Sequence, residues 1–187
     1  MKKTLAAVVL TAMLSPLANA ADYVIDTKGA HAFINFKTSH LGYSWLTGRF
    51  NDFEGTFSYD AEKPESAKIT VTIDTASIDS NHAERDKHLR SDDFLNVKDF
   101  PKAKFVSTKI TDKGDGQLEV AGDFTLHGTT KSITIDAEKI GEGDDPWGGY
   151  RAGFAGTTEI RMADYGMKEI LGPTTVMLEL HVEGIRQ

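Results

Sequence analysis

An all-β, antiparallel domain carrying one short polar helix is the fold this chain predicts, on three observations. Eight separate segments set apolar residues at every second position of one face, the pattern of strands with one side in a core and the other in water. Glycine, proline and aspartate cluster at the joins between them, where turns belong. Only one stretch, between Ser80 and Phe94, reads as helix.

Taken in order, Ala32, Ile34 and Phe36 form the first face, opposed by His31, Phe33, Asn35 and Lys37. Phe53, Gly55, Phe57 and Tyr59 make the second, and Ala67, Ile69, Val71 and Ile73 the third. Residues 104–111 are less decisive, with Phe105 on one face and Val106 and Ile110 on the other. Leu118, Val120, Gly122, Phe124 and Leu126 follow, then Ile133, Ile135 and Ala137. Ala152, Phe154, Gly156, Thr158 and Ile160 are the seventh face, and Val176, Leu178, Leu180 and Val182 the eighth. Lys113-Gly114-Asp115-Gly116, His127-Gly128, residues 141–149 and Gly172-Pro173 fall between consecutive runs, as hairpin links do. Short links imply an up-and-down order, with one long connection holding the helix.

In the stretch from Ser80 to Phe94, Asn81 and Glu84 have the spacing of a capping box. His82, Arg85, Asp86 and Leu89 share one face, with His88 beside Arg85. Leu89 is the sole large aliphatic residue between Ile78 and Phe94, so this helix has no apolar stripe to bury and reads as a lid or plug. A sandwich and a barrel both show one-sided strands. Two features favour the barrel: glycines on apolar faces at Gly55, Gly122 and Gly156, where a closing sheet bends or leaves room, and a polar helix suited to cover an open end.

Met1-Lys2-Lys3, the apolar residues 5–14 and Ala18-Asn19-Ala20 have the form of a secretory leader, with the apolar run too short to span a bilayer. Residues 1–20 are therefore expected to be removed, leaving one domain over 21–187, and a Gram-negative periplasm is the expected compartment. The mature chain carries 19 basic residues against 28 acidic, a formal −9. That balance disfavours nucleic acid and anionic surfaces. With no cysteine, an exported chain rests on its core and not on disulfides. No other apolar run reaches membrane-spanning length, and the oligomeric state stays open, a homodimer included.

Residues 81–95, Asn-His-Ala-Glu-Arg-Asp-Lys-His-Leu-Arg-Ser-Asp-Asp-Phe-Leu, followed by Phe100-Pro101 and Ala103-x-Phe105, resemble the YceI-like family of periplasmic proteins. His40-Leu41-Gly42-Tyr43-Ser44-Trp45, Gly122-Asp123-Phe124-Thr125-Leu126 with Gly128, Thr130 and Lys131, and Asp144-Asp145-Pro146-Trp147-Gly148-Gly149 with Arg151-Ala152-Gly153-Phe154 agree in the same order. The resemblance implies a lipocalin-like eight-stranded barrel with an apolar tunnel, binding a polyisoprenoid or another long-chain lipid. It does not say which lipid.

The inward set Phe36, Phe53, Phe57, Ile69, Val71, Phe105, Phe124, Phe154 and Leu178 reads, by itself, as a packed core. With the resemblance, part of it lines a tunnel, Gly122 leaving room for the chain. At roughly 25 cal/mol per Å², several hundred Å² of buried tail give a gross contribution on the order of 10 kcal/mol, partly offset by ordering the ligand. Arg85, Asp86 and His88, with His40, are candidates for meeting a polar head group; alternatively Glu84–His88 and Asp86–Arg90 satisfy one another as i,i+4 pairs. The ligand-contact candidates are thus Phe36, His40, Phe57, Ile69, Val71, Arg85, His88, Phe105, Gly122, Phe124, Phe154 and Leu178. No cofactor or metal is expected: His82 and His88 lack the spacing of a zinc helix, and Asp144-Asp145 lacks the alternation of a calcium loop and reads as a turn around Pro146. No nucleophile elbow or phosphate-binding glycine pattern occurs. The competing readings are an enzyme using Arg85, Asp86 and His88 as acid–base groups on a lipid, and a solid barrel acting through surface contacts.

Overall fold

The computed structural model describes residues 20–170 and 174–187. The leader expected over 1–20 lies outside them but for its last residue, and so does the Gly172-Pro173 turn signal. Eleven strands build one antiparallel sheet: β1 Ala21–Ile25, β2 Phe33–His40, β3 Ser44–Phe50, β4 Phe53–Tyr59, β5 Lys68–Asp74, β6 Ile78–Asp79, β7 Lys102–Gly114, β8 Gln117–Leu126, β9 Thr129–Asp144, β10 Tyr150–Arg161 and β11 Thr175–Arg186. The helix α1, Ala83–Leu89, stands between β6 and β7.

The order β1-β4-β5-β7-β8-β9-β10-β11 closes on itself because β1 also pairs with β11, so eight strands form a barrel. The sandwich is thereby excluded. β11 holds β2 along its first half, Leu178 opposite Phe36, and β1 along its second, Ile25 opposite Gly184. The sheet continues from β2 to β3 to β6. In effect β1 with β2, β3 with β4 and β5 with β6 are three barrel positions, each interrupted once by a turn.

Three of these strands are not among the eight apolar runs. β1 buries Tyr23 and Ile25 in the core, at 2% and 4% exposure, with Ala21 packed against it. No residue of β3 is fully buried, and its inward row Leu46, Gly48 and Phe50 is half-buried with a glycine at its centre; the strand is held by its register with β2, from Ile34–Phe50 to His40–Ser44. β6 is two residues long. The indecisive run 104–111 has a mechanical cause. The β7–β8 register shifts between Ser107 and Lys109, a bulge that flips side-chain parity. Phe105 and Ile110 are therefore both buried, while Val106 is outside.

The helix is shorter than the 80–94 stretch suggested and is capped by a different residue. Asn81 has φ of +61°, which is not the extended backbone a cap needs. His82 does have it, at φ −154°, and its Nδ1 accepts the Arg85 N–H at 3.2 Å. The strands run between two ends. At one lie α1, residues 90–101, the β2–β3 and β8–β9 turns and the segment Met162–Met167. This end is filled: Ile78, Leu95, Leu126, Ile160, Met162, Tyr165 and Met167 are all buried. The helix covers packed side chains and not an opening.

Candidate functional site

The other half of the barrel is not filled. An internal cavity of about 140 Å³ is walled by Ile25, Ile34, Phe53, Phe57, Ser58, Tyr59, Ala67, Ile69, Val71, Ile73, Phe105, Ile110, Leu118, Val120, Phe124, Ile133, Ile135, Ala137, Phe154, Ala155, Gly156, Thr158, Leu178, Leu180 and Val182. All eight strands of the closed ring contribute, as does β2; among the described residues, neither α1 nor the loop after it does. The wall presents no polar surface to the cavity. Of its three hydroxyls, two are turned to backbone partners: Thr158 Oγ1 donates to Thr134 O at 2.7 Å, and Ser58 Oγ accepts the Lys68 N–H at 3.2 Å; the third, that of Tyr59, is engaged with Lys139. A dry apolar void of about 150 Å³ holds a benzene-sized guest. A longer tail therefore has to displace wall side chains, of which Ile69, Val71, Ile133, Phe154, Leu180 and Val182 are only half-buried.

Of the residues singled out from the sequence, Phe57, Ile69, Val71, Phe105, Phe124, Phe154 and Leu178 are in this wall. Phe36 is buried beside it, its ring against Phe50 and over Gly48, where a Cβ would lie 2.6 Å from Phe36 Cε1. Gly122 does not give its space to the cavity, because the Phe105 ring occupies it. His40 and Arg85 do come together, but elsewhere: they line a polar cleft with Ser44, Trp45, Leu46, Thr47, Ser80 and Asn81 at the helix end.

There the helix charges are spent on the chain itself. Arg85 donates through Nε to Ser80 Oγ at 2.7 Å and through Nη2 to Ser80 O at 2.6 Å. Asp86 is buried and accepts from the Ser80 N–H at 2.8 Å and from the Ser80 hydroxyl. His88 is exposed, 3.3 Å from Asp93, with its ring edge-on to Phe94. The i,i+4 pairing expected between Asp86 and Arg90 is replaced by a tie to β6 and its approach: Arg90 donates to Ala76 O at 2.7 Å and to Ile78 O at 2.5 Å. These groups fasten the helix; Arg85, Asp86 and His88 do not converge on a common point as an acid–base trio would.

Two polar clusters at the cavity's end of the barrel were not read from the sequence. In the first, Arg151 bonds Asp26 at 2.8 Å, Asp145 at 2.8 Å and Glu183 at 2.5 Å. Asp26, His31 and Glu183 bring ligand atoms within 4.8 Å of one another, but the guanidinium already stands where a cation would bridge Asp26 and Glu183. The same bonds hold the Asp26 carboxyl down to about 2, Arg151 above all, with His31 and the Gly29 N–H helping and burial opposing. Asp145 also accepts the N–H groups of Trp147 at 2.9 Å and Gly149 at 2.8 Å, which makes the Asp144-Asp145-Pro146 stretch the turn it was expected to be. In the second cluster Lys139 follows Ile133, Ile135 and Ala137 on the inward row of β9. That parity is visible in the sequence, where the row of apolar residues ends on a lysine.

Comparison with known proteins accords with this architecture. A family model described as YceI-like domain matches residues 23–184. A UPF0312 protein of Shewanella denitrificans is 62% identical over 191 residues, spanning 100% of both chains, and one of Vibrio cholerae is 59% identical over 189 residues with the same coverage. Among solved structures, BcnA of Burkholderia cenocepacia superposes with a TM-score of 0.77 at 20% identity, over 85% of this chain and 98% of that one. The Campylobacter jejuni YCEI protein gives 0.72 at 27% identity, over 80% and 90%. A polyisoprenoid binding domain from Saccharophagus degradans gives 0.65 at 16% identity, over 90% and 100%, a likeness of fold.

Proposed function

The chain belongs to the YceI-like domain family, and from that premise we propose that it is a periplasmic carrier of a long-chain apolar lipid, of the polyisoprenoid or isoprenoid-quinone class. The tail lies in the barrel cavity, and the protein shields, stores or ferries it through an aqueous compartment. The observation that carries this reading is the wall: a barrel interior left unfilled and without polar surface has affinity only for something apolar, since burying an unpaired polar group there is costly. The class of lipid is suggested by the neighbour described as a polyisoprenoid binding domain, and the compartment by the leader-like first twenty residues.

A binding role also agrees with the chemistry of the wall, which among the described residues includes no carboxylate, imidazole, amine or thiol. The test is to recover the protein from the periplasmic fraction of cells expressing the full chain, extract it with organic solvent and identify the extract by mass spectrometry. One long-chain lipid per barrel is the expected result. A mixture of substrate and product would favour the enzyme, and an empty extract would favour a barrel acting through its surface.

A further inference from the structure

Lys139 lies on the inward face of the barrel, at the end of the apolar cavity. Ile133, Ile135 and Ala137, which precede it on the same row, all line that cavity, and across β9 and β10 it stands opposite Phe154, another wall residue. Its Nζ is 5.1 Å above the ring of Tyr59, also in the wall, and 2.8 Å from Glu142 Oε1. The lysine and glutamate side chains are only 21% and 22% exposed. Burial works against the charge on Lys139, yet the bond to Glu142 and the neighbouring Tyr59 outweigh it and hold its pKa above the ordinary lysine value. An apolar row that ends on a charged, inward-facing lysine breaks the pattern of a core. It is the arrangement an amphiphile requires, with apolar wall for the tail and a donor where the tail ends.

We propose that Lys139, with the Tyr59 hydroxyl beside it, receives the head group of the bound lipid, and that this head ends in a carbonyl or carboxylate oxygen bearing at most one negative charge. The proposal rests on the cavity being the tail site. The limit on charge follows from the neighbours. Glu142 already balances Lys139, Arg151 at the same end is matched by Asp26, Asp145 and Glu183, and Arg186, stacked 5.3 Å from the Tyr150 ring, acts on Tyr23 alongside Lys139 and Glu142. Lys139, Glu142 and Arg186 together carry a single net positive charge. A quinone, amide or fatty-acid head matches that. A diphosphate would set several negative charges against Glu142 in a partly desolvated site, where like charges repel strongly.

The lipid-free full chain is titrated with three probes sharing one tail: palmitate, hexadecanol, and hexadecyl phosphate at pH 8.5. Affinity is followed by displacement of bound N-phenyl-1-naphthylamine. Palmitate should bind more tightly than hexadecyl phosphate. Lys139→Met should weaken palmitate at least tenfold and hexadecanol less than threefold, with Lys139→Arg staying within threefold of the parent on palmitate. Tyr59→Phe, which removes only a hydroxyl, should weaken palmitate two- to fivefold with the melting temperature unchanged. Unaltered palmitate affinity in Lys139→Met, equal losses for acid and alcohol, or a preference for hexadecyl phosphate would each overturn the head-group assignment while leaving the cavity reading standing. If the parent protein binds none of the three, the cavity reading falls and the proposal with it.

Discussion

The ring of Phe105 rests against the bare backbone of Gly122: a Cβ placed at Gly122 would lie 2.5 Å from Phe105 Cε2 and 2.6 Å from Val106 O. The two residues are diagonal neighbours across β7 and β8, Phe105 pairing with Phe124 and Ser107 with Gly122. Gly48 seats the ring of Phe36, and Gly184 that of Phe57, in the same way. Gly48, Gly122 and Gly184 thus make room for aromatic rings, whereas Gly55 abuts Ile25 and Gly156 abuts Ile135.

Gly122→Ala is therefore expected to destabilise by about 1–3 kcal/mol, the usual cost of overpacking a filled interior. Because one clash is with backbone, the ring cannot relieve it alone. Phe105→Leu should recover part of the loss, so the double variant should be more stable than the two single effects predict. Urea denaturation of all four proteins checks this, and strict additivity would mean that ring and glycine are not coupled.

The pH dependence follows from Asp26. Its carboxyl lies near 2 in the folded chain against an ordinary 3.8, so the folded state favours the ionised form. The resulting stability is fully present above about pH 4 and is lost as pH falls through about 2. A shift of this size corresponds to on the order of 2 kcal/mol. Asp26→Asn should start out less stable at pH 7 and lose less between pH 4 and pH 2 than the parent; parallel stability curves would show that the Arg151 network does not protect this carboxylate.

The strands were legible because a half-buried antiparallel strand writes its geometry with period two, and Phe57, Ile69, Val71, Phe124, Phe154 and Leu178 were placed inside by parity alone; closure into a barrel was not written in that parity, which a sandwich shares, and came from the family resemblance. β3 was not legible, since its inward row Leu46, Gly48 and Phe50 is short, only half-buried and interrupted by a glycine, and its pairing is set by a neighbour. The bulge at Ser107–Lys109 hid the parity of Ile110. Cavity and core could not be told apart either, because both demand the same apolar residues, and only the third dimension shows which of them meet. The charged helix drew attention to Arg85 because its motif is conspicuous. Lys139 is an isolated charge whose meaning depends on the row it terminates.

Arg85→Ala should act on stability more than on lipid content. Arg85 bonds the hydroxyl and carbonyl of Ser80, and Ser80 is itself buried and bonded to Asp86. Removing the guanidinium leaves the Ser80 carbonyl short of a donor and Asp86 short of a nearby cation. A loss of about 1–3 kcal/mol is expected, with extracted lipid unchanged. A variant that melts normally but comes out of cells without its lipid would move the head-group site to the helix end.

The central claim, that the barrel cavity is the seat of a lipid tail, is tested most directly by filling it. Ala137 is a small, half-buried residue of the wall, so Ala137→Phe puts a ring into space that the tail would occupy. Parent and variant are purified from the same host, their melting temperatures compared and their organic extracts quantified by mass spectrometry. The account predicts about one long-chain lipid per parent barrel and at least tenfold less in a variant that melts within a few degrees of it. Equal lipid in the two folded proteins, or none in the parent, would contradict it.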